Sequence, residues 1–240
     1  MRSGNPALRG KAFTKSYAYG SSESMTIQGT TNKTLVLLLF TLLTASWSWG
    51  NSLQAARFMI PAAIVGLIIG IVTVFKNEWS PITAPLYALV EGVFLGAISS
   101  FFEQTYQGIV TQAIGLTFGV LFCLLLAYKS KLIKVTDNFR LGVVAATGGI
   151  ALLYIVSMVM GFFGVRIPFI HESGPLGIGF SLFVVVIASL NLVLDFDFIE
   201  KGAESGAPKY MEWYGAFGLM VTLIWLYLEI LRLLAKLRSR

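Results

Sequence analysis

Five carboxylates inside or at the ends of apolar runs are candidates for chemistry. They are Glu91 in "LYALVEGVFLGAIS", Asp195, Asp197 and Glu200 in "NLVLDFDFIEKG", and Glu229 in "WLYLEILR". Carboxylate oxygens take hard cations and carry protons. An ionisable group in hydrocarbon costs at least about 2.5–3.5 kcal/mol, so each of these needs a physical reason to be there. Glu91 lies seven residues past Ala84, about 10 Å into its helix at 1.5 Å per residue. It must face other helices or water. A cation site and a protonated acid bonded to a backbone carbonyl explain it equally well. Asp195 and Asp197, two residues apart, project about 200° from each other on a helix and do not share a face. Asp197 has Lys201 at i+4 and Glu200 nearby, the pattern of a solvated last turn. Asp195 instead stacks on Asn191, with Ala188, Val184 and Ser181 continuing a small, more polar stripe. That stripe is expected to face the bundle, making Asp195 the inward acid. Farther on, Gly215, Gly218, Thr222, Trp225 and Glu229 share a face, with Arg232 next. Glu229 is either one half of an end-of-helix ion pair with Arg232 or part of a pathway.

The elements that must hold these acids follow from composition. The 240 residues have a mean hydropathy of +0.76, and 56% are hydrophobic against 12% charged. A water-soluble domain carries about twice that charged fraction. The chain is expected to be an integral membrane protein of all-α class. Seven apolar segments run approximately over 34–49, 58–75, 84–102, 109–128, 141–163, 175–198 and 210–234. Most approach the ~20 residues that carry a helix across ~30 Å of hydrocarbon. Continuous runs of this length exclude barrel strands, and only helices otherwise satisfy their backbone in lipid. Residues 1–33 are rich in Ser, Gly and Thr and are expected to form a mobile, basic cytoplasmic tail. Residues 34–234 would form the seven-helix domain, and 235–240 a basic C-terminal tail. The polar start argues against a secretory signal peptide. One cysteine, Cys123, and one histidine, His171, provide no zinc or copper cluster and no internal disulfide. No cofactor is expected.

Lys and Arg set the orientation. Five lie in the N-tail, and Lys76, Lys129, Lys131, Lys134, Arg140, Lys201 and Lys209 follow on the same side. Arg57 and Arg166 lie on the other side, with Arg232, Lys236, Arg238 and Arg240 at the C-terminal end. The excess places the N-terminus in the cytoplasm. The basic C-terminal end then goes against the rule: the last segment either crosses regardless or re-enters, and seven crossings are favoured. The +6 net charge belongs to this pattern rather than to nucleic-acid binding. The pairs Gly66/Gly70, Gly92/Gly96 and Gly115/Gly119 let helix backbones approach, and packing within one chain is the expected use.

Taken together, "MRSGNPAL", "LYALVEGVFLGAIS" and "LDFDFIEKG" with "APKYMEWYGAFGLMVTLIWLYLEILRLL" resemble the Bax inhibitor family, the transmembrane Bax-inhibitor-motif proteins, in its bacterial YccA-like branch. The resemblance covers nearly the whole chain. It implies a seven-helix bundle with the last helix near its centre, in the cell (inner) membrane. For characterised relatives it implies a pH-sensitive calcium leak gated by two aspartates, one in each of the last two helices, while other relatives act through partner proteins. The first family aspartate, in an Asp-Thr-Gln motif, matches Asp195, followed here by Phe196 and Asp197. The second falls on Thr222 in a gapless match, or on Glu229 if the match is shifted to the visible "LYLE". A hairpin centred near Pro208 puts residues 221–222 level with Asp195, which favours Thr222. Two carboxylates sharing a site repel and so couple to protons, whereas an Asp–Thr contact lacks that repulsion.

Two functions follow as expectations. The first is a leak pathway for calcium or another cation, with Asp195 as a weak, transient calcium ligand and Glu91, Asn191, Thr222 and Glu229 along the path. The second is a non-transporting modulator that binds other membrane proteins, such as a membrane protease. An enzyme is not expected. His171 lies in "RIPFIHES" with no triad spacing, and no Gly-x-Ser-x-Gly, His-Glu-x-x-His or phosphate loop occurs.

Overall fold

In lipid a backbone must satisfy its own hydrogen bonds, and the seven apolar runs become seven long helices. The computed structural model describes residues 24–164 and 172–239. The N-tail up to residue 23, Arg166, His171 and Arg240 lie outside the described residues. The helices are α1 (Ile27–Gly50), α2 (Ser52–Phe75), α3 (Ser80–Thr105), α4 (Ile109–Lys129), α5 (Asp137–Phe162), α6 (Pro175–Glu204) and α7 (Met211–Arg238). All seven contain a stretch long and apolar enough to cross a membrane. A single 3-10 turn, Asn77–Trp79, joins α2 to α3. This is an all-α membrane bundle.

The first and last helices both exceed their apolar runs. Helix α1 begins at Ile27, ahead of the run at Thr34, because Thr26 caps it: its hydroxyl accepts from Gly29 N at 2.9 Å. The segment just before it is pinned to the α6–α7 loop. Met25 N donates to Ala207 O at 2.7 Å, and Ser24 forms an isolated bridge with Pro208. At the other end α7 continues through residues 235–238, so most of the stretch read as a C-terminal tail is helical. Its start lies beside Thr26 and Lys33, through Glu212. Its last turn lies beside the α3–α4 loop, where Arg238 donates to Gln107 O at 2.6 Å. The last helix therefore runs the full length of the bundle and does not re-enter.

Helix α7 packs against α1, α3, α4 and α6, which makes it the central element. Leu226 and Leu231 are fully enclosed, and Met220 nearly so. Helices α2 and α5 are peripheral. The first leans mainly on α3 and the second on α6, and no comparable packing joins α2 to α5 among the described residues. Outward faces are leucine, isoleucine and phenylalanine, such as Leu43, Leu67 and Leu152, suited to acyl chains.

The α1–α3 contact reverses the pattern of a soluble core. Its buried face on α1 comprises Thr30, Thr34, Leu37, Thr41 and Ser48. Thr41 Oγ1 donates to Ala88 O at 3.2 Å, and Ser48 Oγ to Val93 O at 2.8 Å, both across to α3. Gly92 and Gly96 make this possible, since a Cβ at either would strike the α1 backbone at Thr41 or Ala45. Gly66 accommodates the Glu91 side chain. The third expected pair behaves differently: nothing lies within 4 Å of a Cβ added to Gly115 or Gly119. These two glycines face outward, because α4 turns other residues, Ala113 and Thr117 among them, toward α7.

Gly96→Leu is expected to force α1 from α3 and to lower stability by more than about 2 kcal/mol, as overpacking does. Gly119→Leu is expected to be neutral or to stabilise by up to about 1 kcal/mol through helix propensity. Thermal unfolding of each purified variant in detergent, followed by size exclusion, checks the contrast.

Candidate functional site

One large cavity, about 1090 Å³, opens among α2, α3, α5, α6 and α7. Glu91, Asn191, Asp195 and Thr222 all line it. Three of them reach a common depth. Counted from Ser80, Glu204 and Met211, the helix ends nearest the N-terminus, Glu91, Asp195 and Thr222 lie about 14–17 Å in at 1.5 Å per residue. Glu229 is a further seven residues along α7, about 10 Å deeper, and does not line the cavity.

Asp195 sits on α6 with its Oδ2 shielded from solvent and without a hydrogen-bond partner. The Thr222 hydroxyl stands beside its carboxylate. One turn earlier on α7, a Cβ added to Gly218 would lie 3.9 Å from Asp195 Oδ1. Of the two residues weighed as the level partner of Asp195, Thr222 is the one placed there. Asn191, one turn deeper, donates from Nδ2 to Thr147 Oγ1 at 2.7 Å and to Ile187 O at 2.9 Å, tying α6 to α5. Glu91 on α3 is buried, with the phenol of Tyr87 one turn back beside it. Tyr87 in turn meets Phe217 of α7 edge-on at 5.0 Å between ring centres. Among the described residues no ion pair reaches either Glu91 or Asp195.

Five other acids, Asp197, Glu200, Glu103, Glu229 and Glu212, each have a partner. Asp197 is buried, not solvated as its sequence neighbours suggested: Arg140 arrives from α5 and donates at 2.6 Å, while Lys201 donates at 2.8 Å. Glu200 accepts from the Tyr128 hydroxyl. Glu103 reaches forward to Gly108 N at 2.5 Å and Val110 N at 3.1 Å, filling the open donors at the start of α4. Glu229 accepts from Arg232 at 2.9 Å and from the Tyr154 hydroxyl at 3.0 Å, and Arg232 also donates to Tyr154 at 2.8 Å. It forms a closed triad.

Glu212, unmarked in the sequence reading, is the most heavily bonded acid. It is 1% exposed and accepts from Thr26 N at 2.9 Å, Thr26 Oγ1 at 2.8 Å, Lys209 at 2.9 Å and Lys33. The Lys209–Glu212 spacing was its only local signal, because Lys33 and Thr26 come from the other end of the chain. Lys236 is likewise buried, donating to Gly177 O at 3.0 Å and Ser181 Oγ at 2.9 Å.

The cavity is blind at its deep end. Beyond Asn191 and Thr222, Ala188 on α6 and Leu226 on α7 are fully buried in the core. Toward the N-terminal end its rim carries Arg140 and Lys201, both engaged by Asp197. The arrangement therefore has a cationic rim and two acids without cations at mid-depth. Among the described residues no group of three or more His, Cys, Asp or Glu is placed to hold a metal ion. Calcium takes six to eight oxygens, so two separated carboxylates suit brief contact rather than storage.

A family model described as Bax inhibitor 1 like matches residues 5–239. Among curated proteins none matches the chain.

Glu212→Gln is expected to destabilise the protein by about 1.5–3 kcal/mol, the range for losing charge-assisted bonds at a buried group. Asp197→Asn is expected to cost less, about 1 kcal/mol, because Arg140 and Lys201 are about half exposed and regain water. Denaturation midpoints of the two variants, compared in one detergent, check the order.

Proposed function

The chain belongs to the Bax inhibitor 1-like family, and from that premise we propose that it is a non-enzymatic cation leak, with calcium as the permeant ion. The observation that carries the reading is Asp195: a shielded carboxylate oxygen without a partner, in a membrane bundle, on the wall of a cavity that also holds Glu91. An acid held this way attracts a cation and holds it weakly, and conduction needs sites that ions can leave. Thr222 supplies a neutral oxygen at the same depth, and Asn191 another one turn deeper. In the present conformation Ala188, Leu192 and Leu226 close the deep end, so passage requires α6 and α7 to part there. The basic residues around the cavity mouth support a cytoplasmic orientation of that end by the positive-inside rule.

Thr222 where the family carries a second acid gives this chain a different coupling to protons. Without a like charge beside Asp195, the repulsion that ties a carboxylate pair to pH is absent.

Calcium entry into proteoliposomes, followed with an entrapped indicator, tests the reading. Wild type is expected to leak, and Asp195→Asn to leak about tenfold less. Equal flux from the two proteins removes Asp195 from the path, and no flux from folded wild type favours the partner-binding alternative. In the same assay Thr222→Asp, which restores a carboxylate pair, is expected to make the leak fall as pH is lowered from 8 to 6, with a steeper pH dependence than wild type.

A further inference from the structure

A path for a small inorganic ion does not need the walls this cavity has. Calcium is held by oxygen, yet most of the lining is hydrocarbon. Ala63, Leu67, Ile71 and Val74 of α2 form one side, and aromatic rings of Tyr87, Phe94 and Phe217 stand near the acids. The volume, about 1090 Å³, lies just above the ~300–1,000 Å³ typical of pockets for organic ligands. The way in is sideways as well as from the end. Helices α2 and α5 both line the cavity with no substantial packing on each other among the described residues, and Ile71, Val74 and Val144 on its walls remain exposed. A molecule dissolved in the bilayer meets that gap directly.

We propose that the cavity is a binding site for hydrophobic organic cations, which enter from the bilayer between α2 and α5 and place their charge at Asp195 and Glu91. Each part of such a molecule has a counterpart. The apolar body replaces lipid against α2. Aromatic faces near the acids favour a cation by their quadrupole. The charge meets two carboxylates that no Lys or Arg of the described residues neutralises, one with an unpartnered shielded oxygen. Arg140 and Lys201 at the rim are held by Asp197. Organic anions of the same shape are excluded by the negative charge of Asp195 and Glu91. The site does not depend on calcium passage, since binding requires only the cavity and its acids.

The test uses full-length protein in nanodiscs and radiolabelled tetraphenylphosphonium, with empty nanodiscs subtracted. Wild type is expected to bind it saturably, and the isosteric anion tetraphenylborate not to compete. Asp195→Asn and Glu91→Gln, combined, are expected to weaken binding at least tenfold, while the exposed Glu78→Gln leaves it unchanged. Gly70→Phe, which pushes into the cavity against Tyr87 and Phe217 and leaves both carboxylates in the sequence, is expected to weaken it too. Absence of saturable binding by wild type overturns the proposal, as does equal competition by tetraphenylborate or wild-type affinity in the double variant. The cation–anion comparison needs no variant, so it decides even if a substitution impairs folding. Calcium flux without tetraphenylphosphonium binding defeats this site and leaves the leak standing, and binding without flux does the reverse.

Discussion

Apolar side chains gain little by leaving lipid for a protein interior, so the force that builds a soluble core is missing from this molecule. Close approach and polar contact replace it. The α1–α3 contact shows the substitution most directly. Threonine and serine of α1 reach carbonyls of α3, and Gly92 and Gly96 remove the atoms that would hold the two backbones apart. With α1 and α3 joined in this way, and α6 returning through a short loop into α7, the last helix is enclosed by four neighbours. The depth of the cavity and the placing of its acids depend on that enclosure.

The acids divide by how their charge is met. Glu212 has two lysines and a helix cap, Asp197 an arginine and a lysine, and Glu229 an arginine and a phenol. Each of these is a tie between segments far apart in the chain. Asp195 and Glu91 have only neutral companions, Thr222 and Tyr87. The distinction is physical rather than positional, since Asp195 and Asp197 are two residues apart on one helix. The direction each faces decides whether a cation arrives with it.

Much of the bundle could be read in advance, because a hydrophobic run of this length has few ways to exist in lipid. The inward turn of Asp195 was legible from the small, polar stripe behind it, and its level with Thr222 from simple counting along a hairpin. Other features depended on chain pairs that one-dimensional spacing does not carry. Arg140 and Asp197 are 57 residues apart, and Lys33 and Glu212 are 179 apart. Local rules therefore placed Asp197 in solvent and passed over Glu212. Helix α1 was read too short for the same reason: its polar first turns are held by residues at the far end of the sequence. Gly115 and Gly119 show the opposite error, a spacing that permits close packing on a face that no helix covers.

The tie between Thr26 and Glu212 spans 186 residues and has a consequence for assembly. A ribosome delivers α1 first and α7 last, so the groups at the start of α1 wait through the insertion of five intervening helices for their acid. The fold is thus a ring whose closing joint is made by the final hairpin. A chain interrupted before that hairpin is left with an unsealed first helix and no axis to gather around.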